Sequence, residues 1–450
     1  MNDVIPRVRR ELFSGRSAAI LTMVGVSIGL GNVWRFPYMV GRFGGAAFVL
    51  FYLLAVALVG VPALVAEWTL GRHTRKGSVG AFEAAGLPGG RWLGRVLFVT
   101  VAVAGGYYTN AIGWVVYHGI AEMSAVAGLS VNASSILPPD EGFGGESLAL
   151  QLLFTGLILA GCAWILSLGI RRGVERASRW LVPILFVALL LLISRSLTLD
   201  GAFEGVQWLL FKFEPEQING AVAFAALGQV AFSLALGGTF MVVYGSYLSS
   251  DERLVPNAWT TAGADTAAGL LAGLAIFPAV FALGLEPASG PALIFSTLPE
   301  VFARVGGGHL FGVVFFFSLA GVASLSLIAA LEVAIEGLIA RGWHRGRASW
   351  TVGAGVLVLA LPPMFNMGIF VPWDLFFGTG MQTFGALMAA ITVGWSLNRR
   401  DFLAQVAPGG EPALRYRLLH GWIRWVIPSV ILAVGVWWLL GEVFGLVGTV

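Results

Sequence analysis

The chain has 450 residues, 57% of them hydrophobic and only 11% charged, and its mean hydropathy is +0.84. Water-soluble domains carry charge on about a quarter of their residues, so this composition excludes a soluble protein and points to helices packed in lipid. A net charge of +3 gives no footing for nucleic acid, and the single cysteine, Cys162, leaves no intramolecular disulfide to form.

Residues 1–16, MNDVIPRVRRELFSGR, form a basic amphipathic N-terminal segment expected in the cytoplasm. The apolar stretch behind it offers no small-residue cleavage site, so it does not read as a signal peptide. Eleven apolar segments follow: 17–38, 44–70, 92–124, 149–169, 176–195, 223–248, 254–284, 310–340, 349–370, 374–396 and 418–447. A spanning helix needs about 20 such residues. The longest loops are 125–148, 196–222 and 285–309.

Alternating orientation puts most of the basic residues on one side. They include Arg7, Arg9 and Arg10, then Arg72, Arg75 and Lys76, then Arg171, Arg172, Arg176 and Arg179. Loop 125–148 has no Lys or Arg and carries Asp140, Glu141 and Glu146. Basic loops stay cytoplasmic, which places the N-terminus inside and, with an odd number of spans, the C-terminus outside.

Two helices read as interrupted. The first holds Gly25, Gly29 and Gly31, the sixth Gly237 and Gly238. Each opens a five-helix set, 17–195 and 223–396, with 418–447 as an additional helix. Five is odd, so the second set enters the membrane inverted. Glycine-interrupted helices at matching positions of inverted repeats mark a midplane binding site in transporters. The unwound backbone offers carbonyls to a cation and N–H groups to an anion. Taken alone, Gly25 and Gly29 also read as a packing face; the second break and the polar residues beside both favour the site. The expected fold is thus an all-α polytopic 5+5 inverted repeat with discontinuous helices one and six.

The stretch VGVSIGLGNVWRFPY (24–38) resembles the first-helix signature of the neurotransmitter:sodium symporter family, in the bacterial branch that contains the bacterial leucine transporter. The resemblance continues through GGAAFVLFYLLAVALVGVPALVAEWTLGR (44–72), GYY (106–108), GIRRGVERASRWLVPILF (169–186), GQVAFSLALGG (228–238) and ADTAAGLLAGLAIFP (264–278). It implies sodium-coupled symport of an amino acid by alternating access, in the inner membrane of a bacterium.

The resemblance implies a first sodium site from the Ser27 carbonyl, the Asn32 amide oxygen, Ser233 and Asp265. Oxygen donors suit a hard cation, and a carboxylate inside a span is functional by default. The chloride neighbours of animal members map to Tyr52, Gln229 and Ser233. Asp265 beside them supplies the negative charge, so chloride independence is expected.

The implied substrate pocket draws on the break itself at Val26, Ser27, Gly29 and Gly31, with Tyr108 bonding the substrate carboxylate. Its walls are Ala104, Phe232, Ser233, Ala235, Gly238, Ser326 and Ala330. Most are small, and Gly238 replaces a Phe of the leucine transporter, so a hydrophobic or aromatic amino acid is expected. The implied gates are Arg35 with Asp374, Tyr108 with Phe232 as a lid, and Arg10 on the cytoplasmic side. Gly173 and Pro183 fall in the helix-five pattern that admits water.

Departures concern the second sodium site. One register places Val322, Leu325 and Ser326 with the Gly25 and Ile28 carbonyls; a shift by two gives Ala320, Ala323 and Ser324. Either register lacks one donor, since Leu325 stands where a Thr or Asp is usual. The aspartate that would pair with Arg10 is replaced by Ala340, with Glu336 one turn away. One or two sodium ions per cycle, or proton coupling or exchange, are therefore open. Five scattered histidines (73, 118, 309, 344, 420) without HExxH argue against a membrane enzyme. The amino acid and the oligomeric state are not legible.

Overall fold

The structure is a computed structural model that describes residues 11–213, 219–287, 293–407, 413–438 and 440. Among the described residues eight helices are long and apolar enough to cross a membrane: Gly45–Thr74, Gly90–Val126, Gly145–Ser167, Ile170–Ser196, Leu254–Ala282, Gly308–Ile339, Arg345–Phe365 and Met367–Ser396. In chain order these are the second to fifth and seventh to tenth spans. Each covers an apolar run of the sequence, shifted by a few residues at its ends.

The first span is two helices, Arg16–Ser27 and Gly31–Phe43, bent by 53° at the break. The sixth is Gly220–Ser233 and Phe240–Gly245, with an irregular stretch between them. The last segment is helical from Leu414 to the end of the helix Ile427–Trp438. Arg10 lies outside the described residues, as do the other residues before Glu11 and the end of the last segment.

The third and eighth spans pack along each other, with the ninth against the third and fourth, and the fifth against the seventh and eighth. The first span sits among the fifth, seventh and eighth, and the second packs on both halves of the sixth. Small residues permit these approaches: a Cβ on Gly71 would lie 1.9 Å from the Val242 carbonyl oxygen, and one on Gly173 would lie 2.0 Å from that of Ile165. Close backbone packing of this kind replaces the hydrophobic driving force that lipid does not supply. At Gly173 it is a packing demand at the turn into the fifth span. Pro183 lies inside the helix Glu175–Ser196.

Several charged side chains within the bundle are paired, which offsets the cost of burying them. Glu332 accepts from Tyr247 at 2.7 Å and from Arg345 at 2.6 Å. Glu122 meets His309 at 2.7 Å. Before the first span, Ser14 donates twice to Glu175, and Glu11 accepts from the Ile170 and Arg171 amides. Glu336 packs its carboxylate against Gly77.

Candidate functional site

The two breaks face each other in the middle of the bundle, and neighbouring side chains take up the backbone groups they release. At the first break Ile28 is extended (φ −73°, ψ 125°). The Gly29 N–H donates to the Asn32 amide oxygen at 3.0 Å, and Leu30 N–H donates to the Tyr108 hydroxyl at 3.2 Å. Gln229 donates to the Gly31 carbonyl at 2.8 Å. Ser326 donates to the Val26 and Ile28 carbonyls at 3.0 and 3.1 Å. A buried backbone group without a partner would be costly, so these side chains hold the break open.

The sixth span breaks over Ala235, Gly237 and Thr239, all in the left-handed region at φ 51°, 80° and 59°. Only glycine adopts that region freely; a residue with a Cβ gives up roughly 1–2 kcal/mol. Two non-glycine residues held there are strain of the kind stored at functional sites. The Gly237 N–H donates to buried Glu67 at 2.7 Å. The sequence reading missed Glu67. Its signal was present, a carboxylate inside an apolar span.

Beside the first break lies a closed cluster of oxygens. The Asp265 carboxylate accepts from Asn32 and Ser233, each at 2.7 Å, and from Tyr52 at 3.3 Å. Asn32 also donates to Ser233 at 2.9 Å and to the Asp265 carbonyl at 3.0 Å. All four side chains are fully or almost fully buried. Three of the four residues expected at the first sodium site, Asn32, Ser233 and Asp265, are therefore together. One detail differs from the expectation: the Asn32 amide directs its NH₂ at the carboxylate and its oxygen at Gly29. A cation among these groups requires the amide turned over, which brings its oxygen to the carboxylate side.

The donor set fits sodium, with hard oxygens, one formal charge and no nitrogen or sulfur ligand needed. Ser233 belongs to this cluster and does not line the cavity, a correction to its expected second role in the pocket.

A cavity opens between the breaks. Its floor is Val26, Ser27, Gly29 and Gly31 of the first span, with Tyr108 and Ser326. Ala104, Phe232, Ala235 and Ala330 form walls, as expected. Its atom-free space, open solvent at the mouth included, is about 580 Å³. Gly29 is tightly enclosed: a Cβ there would lie 2.6 Å from the Tyr108 hydroxyl and 2.7 Å from that of Ser326.

Gly238 is a second correction. It does not line the cavity, because the Phe240 ring covers it; a Cβ on Gly238 would meet that ring at 2.0 Å. Phe240 itself lines the cavity, with Gly105, Tyr107 and Gln382. The wall expected to be missing is thus rebuilt from two residues further along the chain.

Arg35 and Asp374, the expected outer gate, make no direct ion-pair contact among the described residues, but the guanidinium lies close enough to act on the carboxylate through space. The Arg35 guanidinium lies 4.4 Å from the centroid of the Phe232 ring. Asp374 and the Tyr107 hydroxyl both close on Gly378, where a Cβ would lie 2.9 Å from Asp374 Oδ1 and 2.3 Å from the phenol oxygen. The cation–π contact takes up one face of the guanidinium, while its Nη1 is buried without a hydrogen-bond partner among the described residues.

Around the second expected cation site, Ser326 faces the Val26 and Ile28 carbonyls and Leu325 faces Gly25, with a Cβ on Gly25 falling 2.9 Å from Leu325 Cδ1. Ser324 instead bonds its own helix at Ala320, and its carbonyl accepts from Cys162 of the fourth span. The side chains therefore face the break in the unshifted register.

The family model described as Sodium:neurotransmitter symporter family matches residues 10–129 and 145–438, most of the chain. This chain belongs to the sodium:neurotransmitter symporter family. It is a multi-pass membrane transporter, not an enzyme, and sodium-coupled transport follows from that membership. The sodium-dependent transporter YhdH of Bacillus subtilis is 31% identical over 92% of this chain and 94% of its own length. The sodium-dependent serotonin transporter of Drosophila melanogaster is 25% identical over 96% of this chain and 77% of its own length. Among solved structures, MhsT in complex with L-phenylalanine superposes with a TM-score of 0.82 at 34% identity, covering 95% of this chain and 99% of that one. The inverted-repeat fold with discontinuous first and sixth helices is thereby established for this family member.

Proposed function

We propose that this transporter carries a hydrophobic or aromatic amino acid into a bacterial cell across the inner membrane, coupled to sodium and independent of chloride. The observation that carries the reading is the apolar, aromatic-walled cavity set between two helix breaks and directly beside the Asn32–Ser233–Asp265 oxygens. The phenylalanine bound to MhsT supports the same substrate class. In this reading residues 17–195 and 223–396 are the two inverted repeats, 418–447 is an added helix, and the N-terminus lies in the cytoplasm. The Tyr108 hydroxyl, which accepts from Leu30 and has its own proton to give, donates to the substrate carboxylate beside the first break, close to the cation. A lone buried carboxylate such as Asp265 is stabilised when a cation joins it, so sodium and substrate assist each other's binding.

Uptake of labelled L-phenylalanine or L-leucine into proteoliposomes should follow an inward sodium gradient and stop when choline replaces sodium. Accumulation driven by a proton gradient in sodium-free medium would overturn sodium coupling in favour of protons.

Chloride independence rests on the position of Asp265. Its carboxylate sits between the Tyr52 and Ser233 hydroxyls, the places to which chloride neighbours map. A fixed negative charge there leaves no role for a mobile one. Replacing chloride by gluconate is expected to leave uptake unchanged, and a wild type that stalls without chloride would refute the reading.

Phe240 sets the size of the pocket. Phe240→Ala is expected to shift the preference toward bulkier side chains by about tenfold, the scale of a few methylene groups of pocket volume. Competition against labelled phenylalanine by a series of apolar amino acids measures this; an unchanged ranking would remove Phe240 from the wall.

A further inference from the structure

The cavity lining contains few polar side chains, and nearly all are engaged by the protein. The Ser27 hydroxyl bonds the Met23 carbonyl at 3.1 Å. Tyr108 accepts from Leu30, Ser326 bonds two carbonyls of the first break, and the Tyr107 hydroxyl is turned to Gly378 beside Asp374. Gln382 is the exception. It lies in the tenth span, is only 9% exposed, lines the cavity, and among the described residues its side-chain amide has no hydrogen-bond partner.

Its position is fixed by backbone contact. A Cβ on Gly237 would fall 1.6 Å from the Gln382 carbonyl oxygen, and one on Gly385 would fall 1.9 Å from that of Gly237. The tenth span is thus pressed against the unwound part of the sixth, and Gln382 is anchored at the contact. The groups suited to the α-carboxylate and the cation belong to the first break and to Tyr108. Gln382 and Phe240 belong to the wall contributed by the sixth and tenth spans, where the side chain of a bound amino acid is received.

We propose that Gln382 is a specificity-determining residue that selects amino acids whose aromatic side chain carries a hydrogen-bond donor, the indole N–H of tryptophan or the phenol O–H of tyrosine. Phe232, Phe240 and Tyr108 line the same cavity and offer rings against which a flat side chain packs. The Gln382 amide oxygen accepts from the donor. Once a ligand displaces water from the cavity, an amide left without a partner costs free energy, so the site discriminates against the analogue that lacks the donor. Phenylalanine and leucine fit the space and leave Gln382 unmatched. This inference rests on the amino-acid reading of the cavity given above.

The test is equilibrium binding to the full-length purified protein in sodium, with L-tryptophan, L-tyrosine, L-phenylalanine and L-leucine competing against labelled L-phenylalanine. Tryptophan or tyrosine is expected to bind about tenfold tighter than phenylalanine, the worth of one neutral hydrogen bond together with the relief of an unmet group. Gln382→Met keeps length and removes both donor and acceptor. It should erase that difference while phenylalanine binds as well as before or better, which also shows that the variant is folded. Gln382→Leu serves the same purpose if the Met variant is not recovered.

Phenylalanine binding the wild type as tightly as both tryptophan and tyrosine would overturn the inference and leave the amino-acid reading standing. So would a Gln382→Met variant that weakens all four ligands alike. Failure of all four to bind the wild type would instead refute the amino-acid reading, and the inference with it.

Discussion

Asn32→Ala and Asp265→Asn should each abolish sodium-dependent substrate binding, at any sodium concentration compatible with a stable preparation. The two side chains bond each other directly at 2.7 Å, and Ser233 closes the triangle at 2.7 and 2.9 Å. All three are shielded from solvent, so water cannot replace a lost oxygen. Removing one partner from a buried charged constellation costs about 3–5 kcal/mol, roughly 10²- to 10³-fold in affinity at 1.4 kcal/mol per decade.

Asn32 carries a second burden, because its amide oxygen caps the Gly29 N–H at the break. Asn32→Ala therefore also unsettles the backbone that receives the substrate, and should reduce substrate affinity measured without sodium. Asp265→Asn keeps the shape and deletes the charge, so it should spare sodium-free binding. Scintillation-proximity binding across a sodium titration separates these effects. Wild-type sodium dependence in either variant would show that the cation binds elsewhere.

Much of the fold could be read from hydropathy, because lipid forces each span to be a helix of a set length. The breaks were legible for the same reason: glycines clustered in an apolar run have few other uses than close packing or an unwound turn. Asn32, Ser233 and Asp265 come from three different spans, and only the resemblance joined them. What could not be read was side-chain reach across a break. Gly238 looked like an open wall, yet the strained backbone at Ala235, Gly237 and Thr239 folds the Phe240 ring back over it. The resemblance joined Arg35 to Asp374, but only the placed side chains show the Phe232 ring under the guanidinium. Nothing in the sequence singles out Gln382; its place in the cavity wall is visible only once its neighbours are set around it.

The two breaks are also coupled physically. Gln229, in the first half of the sixth span, bonds the Gly31 carbonyl in the first span, while Glu67 of the second span bonds Gly237. Ser326 of the eighth span ties down Val26 and Ile28. A cation that draws on Ser27 and Asn32 must act on the same few residues of backbone that the substrate meets. Shared backbone of this kind is a structural basis for coupling free energy between two ligands.

Leu325→Thr should tighten the apparent sodium affinity of uptake roughly 5- to 150-fold and raise the Hill coefficient from about one toward two. The eighth span presents Leu325 and Ser326 to the first break, with Leu325 Cδ1 against Gly25 and Ser326 on the Val26 and Ile28 carbonyls. A methyl group therefore stands where an oxygen would complete a second cation shell from the Gly25, Ile28 and Val322 carbonyls and Ser326. One unmet polar partner at a buried site is worth about 1–3 kcal/mol, which sets the expected range. Threonine removes that methyl and sets a hydroxyl on Cβ, one bond nearer the backbone, and is tolerated in a membrane helix.

The fifth span offers one rival donor. The Ser178 hydroxyl is buried without a partner among the described residues and lies near Gly25, 3.1 Å from where a Cβ would be. A wild-type Hill coefficient of two that falls to one in Ser178→Ala would mean that this hydroxyl already completes the site. A coefficient of about one in the wild type, unmoved by Leu325→Thr, would mean that the carbonyls of the first break do not converge on a second ion at all, and that one sodium drives each cycle.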